Sequence, residues 1–241
     1  MVILNSYDIL PLMEKRVEEL FGCEVRQAVF QGWKMPPLGT PPEILPFSTG
    51  QIIDRMEKEL TTDQCRDVLI WNYHEMPKEA FAQKKDRFDA ADSIDDFLAA
   101  QHRSLVEELS ECLRTGKVWY EQEVTPEFVA HVASDQRVQT GIRQGDRIIC
   151  EKVPYDTKHF YSEEDPDMRR YYYCHCPLVR SAIKARGPRI SPTFCYCSAG
   201  FEKIAWDTIF NAPVEVEVLE TVLGGGERCV FSISIPEGRM K

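Results

Sequence analysis

The stretch from Pro213 to Pro236, PVEVEVLETVLGGGERCVFSISIP, constrains the fold more than any other part of the chain. Val214, Val216 and Val218 alternate with Glu215 and Glu217, and Phe231, Ile233 and Ile235 alternate with Ser232 and Ser234. A period of two places the apolar set on one face of an extended chain and the polar set on the other. Gly224, Gly225 and Gly226 lie between the two runs and supply the backbone freedom of a turn. The spacing therefore predicts a β-hairpin.

The first half carries a different period. Leu10, Met13, Val17, Leu20 and Phe21 recur at helical spacing over residues 7–21, and Gly22 reads as the stop. Residues 33–46 hold five prolines and read as a connector, dividing an N-terminal segment, 1–48, from a main domain, 49–241. Thr49 and Thr62 are expected to cap two helices, the second with Cys65, Val68 and Leu69 on one stripe. Ser93 and Asp96 resemble a capping box ahead of Ile94, Phe97, Leu98, Leu105, Leu109 and Leu113, and Gly116 ends that run. Thr125 and Pro126 open a further helix. Beyond it, residues 146–153 and 169–176 read as strands, and 177–185 and 198–210 as helices. The expected class is α+β. A helical N-terminal half precedes a mixed, partly antiparallel sheet with helices, enclosing a ligand cavity.

Apolar content of 43% and charged content of 28% are those of a globular protein. The sequence has no run of eighteen apolar residues, and its opening reads as no secretory leader, so the expected compartment is the cytoplasm. A net charge of −10 argues against a nucleic-acid partner. The expected partner is a small-molecule ligand, and a homodimer is the assembly the reading allows. Nine cysteines in such a chain read as reduced thiols used for packing, metal binding or catalysis.

Five of them fall within residues 174–229. Cys174 and Cys176 flank His175, and Cys195 and Cys197 flank Tyr196. On an extended segment, residues i and i+2 share a face, so Cys174 and Cys176 form half of a zinc site and His175 turns away. If the following helix starts at Ser198, Cys195 and Cys197 also share a face. If it starts at Ser191 and Pro192, the two stand about 200° apart and only one reaches a metal, with Cys229 as replacement. That second start also puts Cys195 in a first helical turn. There it becomes a candidate nucleophile, with His175 as base. The third account is packing alone. Tyr173, Arg180, Arg189, Tyr196 and Trp206 are the candidate ligand-binding residues, offering aromatic walls and cations for a polar end.

The order of elements from Cys174 onward resembles the vinyl-reductase-type hydrocarbon-binding domain and the related aminothiazoline-carboxylate hydrolase-like proteins. The matching pieces are Cys176, Cys195 or Cys197, Glu220-Thr221, the Gly224–Gly226 turn and Cys229-Val230-Phe231, within residues 145–236. The first likeness implies an α/β module with an interior ligand cavity and a cysteine site, with zinc as cofactor. The second implies a thiol acting on a small sulfur- or nitrogen-containing heterocycle. Leu223 stands where the hydrocarbon-binding family commonly has another cysteine, which removes one candidate metal ligand.

Overall fold

The computed structural model describes residues 8–184 and 189–239. Helix α1 (Ile9–Phe30) runs past Gly22, which sits at φ 84°, ψ 176° and breaks the helical geometry without ending the element. Gly22 is thus a kink rather than the expected stop. Ile9, Leu10, Met13 and Val17 before it and Val29 and Phe30 after it are buried. The burial on both sides holds the two arms, with glycine absorbing a dihedral other residues resist.

Helix α2 (Leu45–Glu59) starts earlier than expected, because Pro46 is accepted in a first turn. Thr49 lies inside it rather than at its cap, and its hydroxyl donates to the carbonyls of Leu45 and Leu178. Helix α3 (Thr62–Leu69) is capped by Thr61 rather than Thr62, in a reciprocal box with Gln64. Helix α4 (Ala82–Ala90) follows, and then α5 (Ile94–Thr115), α6 (Pro126–Ser134) and their caps at Ser93, Gly116 and Thr125 are as the sequence predicts.

Four strands, β1 (Ile142–Gln144), β2 (Arg147–Glu151), β3 (Val216–Glu220) and β4 (Val230–Ser234), form a sheet in the order β1-β2-β4-β3. Each of these pairings is antiparallel, and an isolated parallel bridge joins Val138 to Glu151. The hairpin is β3 and β4, with Val216 opposite Ile233 and Val218 opposite Phe231. Two short helices, α7 (Thr157–Ser162) and α8 (Pro166–Tyr173), lie between β2 and α9 (Arg180–Lys184). A 3₁₀ turn over Pro192–Cys195 leads into α10 (Tyr196–Phe210), which packs on β3 and β4.

One expectation needs correction here. Residues 169–176 are not a strand: the tyrosines belong to α8, whose N-terminus is capped by the Asp165 carboxylate accepting from Met168 N at 2.9 Å. Cap and first-turn proline override the strand preference of the aromatic run. The buried side of α10 is Tyr196, Cys197, Ala199, Gly200, Ala205, Trp206, Ile209 and Phe210.

One large core joins α1, α2, α3, α10 and the sheet, so the N-terminal segment contributes Met13 and Val17 to the same apolar cluster as Phe210 and Phe231. A smaller core of Leu105, Leu109, Trp119, Phe128, Val132 and Val153 lies beneath α5 and α6. Among the described residues, no helix is long and apolar enough to cross a membrane.

Candidate functional site

The chemistry-bearing side chains converge where β2 ends. Along β2, Ile148 and Cys150 point into the main core, and alternation carries Lys152 to the same side. Its root is fixed by the sheet and by α8. The Lys152 N–H donates to the Cys229 carbonyl at 3.0 Å, and the Lys152 carbonyl accepts from the Tyr173 hydroxyl. Its ammonium donates to Ser198 Oγ at 3.0 Å, across to the first turn of α10. Lys152 acts electrostatically on Cys174, Cys176, Cys197 and Cys229, on His74 and His175, and on Glu202.

The thiols reach this point from separate elements. Cys174 is the C-cap of α8, in an extended conformation, and Cys176 opens the turn before α9. The helix after Cys195 is initiated at Ser191, whose hydroxyl accepts from Thr193 N at 3.3 Å, so Ser198 lies inside a helix rather than capping one. Cys195 accordingly couples electrostatically to Cys229, Cys174 and Cys176, whereas Cys197 couples to Cys176 and Tyr73. Cys229 enters from the start of β4, through the turn built by Glu220 and Thr221. Glu220 Oε1 accepts from the N–H groups of Glu227 and Arg228 at 2.7 and 3.1 Å, and Thr221 Oγ1 accepts from Gly224 N at 3.0 Å. A Cβ on Gly226 would stand 2.5 Å from Glu220 Cγ, which is why that position takes glycine.

Burial governs the protonation of the cluster. It pushes Cys176 and Cys197 up to about 12, and Cys174, Cys195 and Cys229 upward as well. The thiols are therefore neutral, which is opposite to what an activated nucleophile needs. Backbone N–H groups pull the other way: Leu178 and Val179 donate to the Cys176 sulfur and Cys176 to that of Cys174. Thr221 likewise hydrogen-bonds the Cys195 sulfur. None of these outweighs desolvation. Burial lowers His175 to about 3, so the neutral ring donates Nε2–H to the Val153 carbonyl at 2.8 Å and stacks edge-on to Tyr155. Among the described residues, no hydrogen bond joins His175 to Cys195. Burial raises Glu202, one helical turn after Ser198, while Lys152 and Lys84 oppose that shift.

The remaining candidates lie around this cluster in different roles. Tyr173 is buried, with its hydroxyl committed to the Lys152 carbonyl and to Glu151 Oε1 at 3.4 Å. Arg180 holds its guanidinium over Tyr155 and Tyr171, 4.6 and 4.9 Å from the ring centroids. Arg189 is exposed. Tyr196 is buried under the Arg66 guanidinium, and Trp206 packs on Phe97 and Phe210 in the core. Among the described residues, no three His, Cys, Asp or Glu side chains stand so that they would hold a metal ion.

Lys152, Ser198, Glu202 and His74 are the members of the site that the cysteine spacing does not point to. Lys152 does leave a trace in the sequence, as a charged residue on the apolar face of a strand pattern. Taken together, fold and site define an α+β protein with a cysteine-rich polar cluster under its C-terminal hairpin. Residues 152–240 match the family model described as "Family of unknown function (DUF6144)". No curated protein and no solved structure matches the chain.

Proposed function

We propose that this chain is a small-molecule-binding protein whose apolar or aromatic ligand occupies a recess between the 174–176 segment, the start of α10 and the start of β4. The observation that carries this reading is a pairing of burial with access. Cys176, Cys195, Cys229, Lys152, Ser198 and Glu202 each keep part of their surface open, although their surroundings desolvate the thiols strongly. A concave, mainly apolar wall with a few convergent polar groups has those properties. Neutral thiols are small, polarizable hydrophobes and suit an apolar guest. The reading includes a reducing, cytoplasmic setting, supported by nine cysteines that are all free.

The test is titration with N-phenyl-1-naphthylamine, an uncharged fluorophore that brightens in apolar sites. One saturable site per chain is expected, weakened at least about fivefold in Cys176→Phe, where the added ring fills the recess. Far-UV circular dichroism checks that the variant is folded. Fluorescence that rises without saturating sinks the reading.

A structural zinc that draws Cys174, Cys176, Cys195 and Cys229 together, closer than they stand among the described residues, is a second reading. What favours it is the set of N–H groups aimed at the Cys174 and Cys176 sulfurs, a form of support that metal thiolates use. Metal analysis of protein purified without chelator decides it: about one zinc per chain supports this reading, and a small fraction of that removes it.

A further inference from the structure

Resting on that binding reading and sharpening it, we propose that the ligand is a small organic monoanion whose carboxylate-type head is held by Lys152 Nζ and Ser198 Oγ. Lys152 is a positive charge with no ion-pair partner among the described residues; Glu202 acts on it from beyond that distance, and burial pushes the Glu202 carboxyl toward its neutral form. An ammonium has three N–H donors. The described residues give this one a single hydrogen bond, to Ser198 Oγ at 3.0 Å. No carboxylate among them lies within the 4.0 Å of an ion pair. A cation in such surroundings is stabilised by a counter-charge and by acceptors for its remaining hydrogens. An anionic ligand head supplies both.

The arrangement is also built to present that charge. The Lys152 backbone is tied to Cys229 on one side and to Tyr173 on the other, so the stem is ordered before any ligand arrives. The Ser198 hydroxyl accepts from Lys152 and keeps its own hydrogen to donate, which makes a two-point cradle. Of the other cations, Arg180 and Lys184 lie over tyrosine rings, Arg189 is exposed, and Lys84 acts on Glu202.

One ammonium and one hydroxyl suit a single negative charge. A phosphate dianion calls for a fork of donors or a second cation, and Glu202 in the same field further disfavours it.

The test compares 2-naphthoate with its neutral counterpart 2-naphthalenemethanol as competitors for bound N-phenyl-1-naphthylamine. Wild-type protein is expected to prefer the acid by about tenfold or more, the scale of hydrogen bonds to a charged group. Lys152→Met should erase that preference, and Ser198→Ala should reduce it in part. Equal affinity of acid and alcohol in the wild type overturns the anchor, a result that needs no variant to fold. A preference that survives in folded Lys152→Met also overturns it. If the fluorophore itself has no saturable site, the binding reading fails and the anchor with it. If it binds but acid and alcohol compete equally, only the anchor fails.

Discussion

Glu151 and Lys152 are consecutive, oppositely charged, and point to opposite sides of the same extended chain, yet the protein treats them differently. Glu151 is 2% exposed and fully provided for. Its carboxylate accepts from Arg228 Nη1 at 2.8 Å and from the Tyr173 hydroxyl at 3.4 Å, with His131 Nε2 at 3.7 Å. Lys152 has one neutral hydroxyl within hydrogen-bond distance, with thiols and the Glu202 carboxyl beyond ion-pair reach. A buried charge with all of its partners in the chain belongs to the architecture: it fastens the 173 turn, the 228 turn and α6 to one strand. A charge that the chain leaves mostly uncompensated marks a place where something else is expected to complete it. The contrast lies within one dipeptide, so differences of sheet, depth or sequence region do not explain it.

Removing each member of the pair is the most direct way to break the contrast. Glu151→Ala strands the Arg228 guanidinium, while the Tyr173 hydroxyl keeps its bond to the Lys152 carbonyl. Stability in urea is expected to fall by about 2–3 kcal/mol, below the full value for a buried pair because Arg228 is 37% exposed. A loss under 1 kcal/mol would place Glu151 in the same class as Lys152.

The next effect is on pH. In the unfolded chain the His175 imidazole protonates near 6.5, whereas in the folded protein burial holds that step to about 3. The depressed value means that its share of stability is complete above about pH 6.5 and is lost as pH falls toward 3. By pH 5 the loss should be about 1–2 kcal/mol, and His175→Gln, which retains a donor for the Val153 carbonyl, should flatten that part of the profile. An unchanged acid limb in the variant would show that the ring is free to protonate in place.

Smaller again is Asp165→Ala, which removes the cap of α8 and with it the support of Tyr173 and Cys174. About 1 kcal/mol is expected by denaturation. The smallest effect is Lys152→Met, with stability unchanged or raised by up to about 1 kcal/mol, because an apolar residue of similar length relieves an unpaired charge. A loss comparable to that of Glu151→Ala would collapse the comparison.

The elements that could be read in advance are those whose determinants are local. The β3–β4 hairpin follows from valine and isoleucine alternation, and α5 from Ser93, its apolar stripe and Gly116, with no help from distant residues. The misread elements are those where two local signals compete. In residues 166–173 the strand preference of three tyrosines loses to a capping aspartate and a first-turn proline. At Gly22 the glycine does what its backbone allows, but burial on both sides continues the helix. The cysteine cluster was legible as a cluster, and the two alternative starts of α10 were legible as a choice. Neutral thiols were not, since protonation depends on desolvation by the folded surroundings, which no motif encodes. Lys152 was hidden for the same reason: its Ser198 partner is 46 positions away, and the chain must fold before the two meet.

Gly200 is the closest crossing in the site's scaffold, since a Cβ there would fall 2.2 Å from the Trp71 carbonyl oxygen and 2.7 Å from its nitrogen. The two backbones are thus pressed together without a side chain to act as a cushion, and α10 can neither roll nor slide along its axis past that crossing. Ser198 and Glu202 sit two residues to either side of it. Their hydroxyl and carboxyl therefore keep a fixed separation and heading, like marks on a ruler clamped at its midpoint, whatever the surrounding loops do.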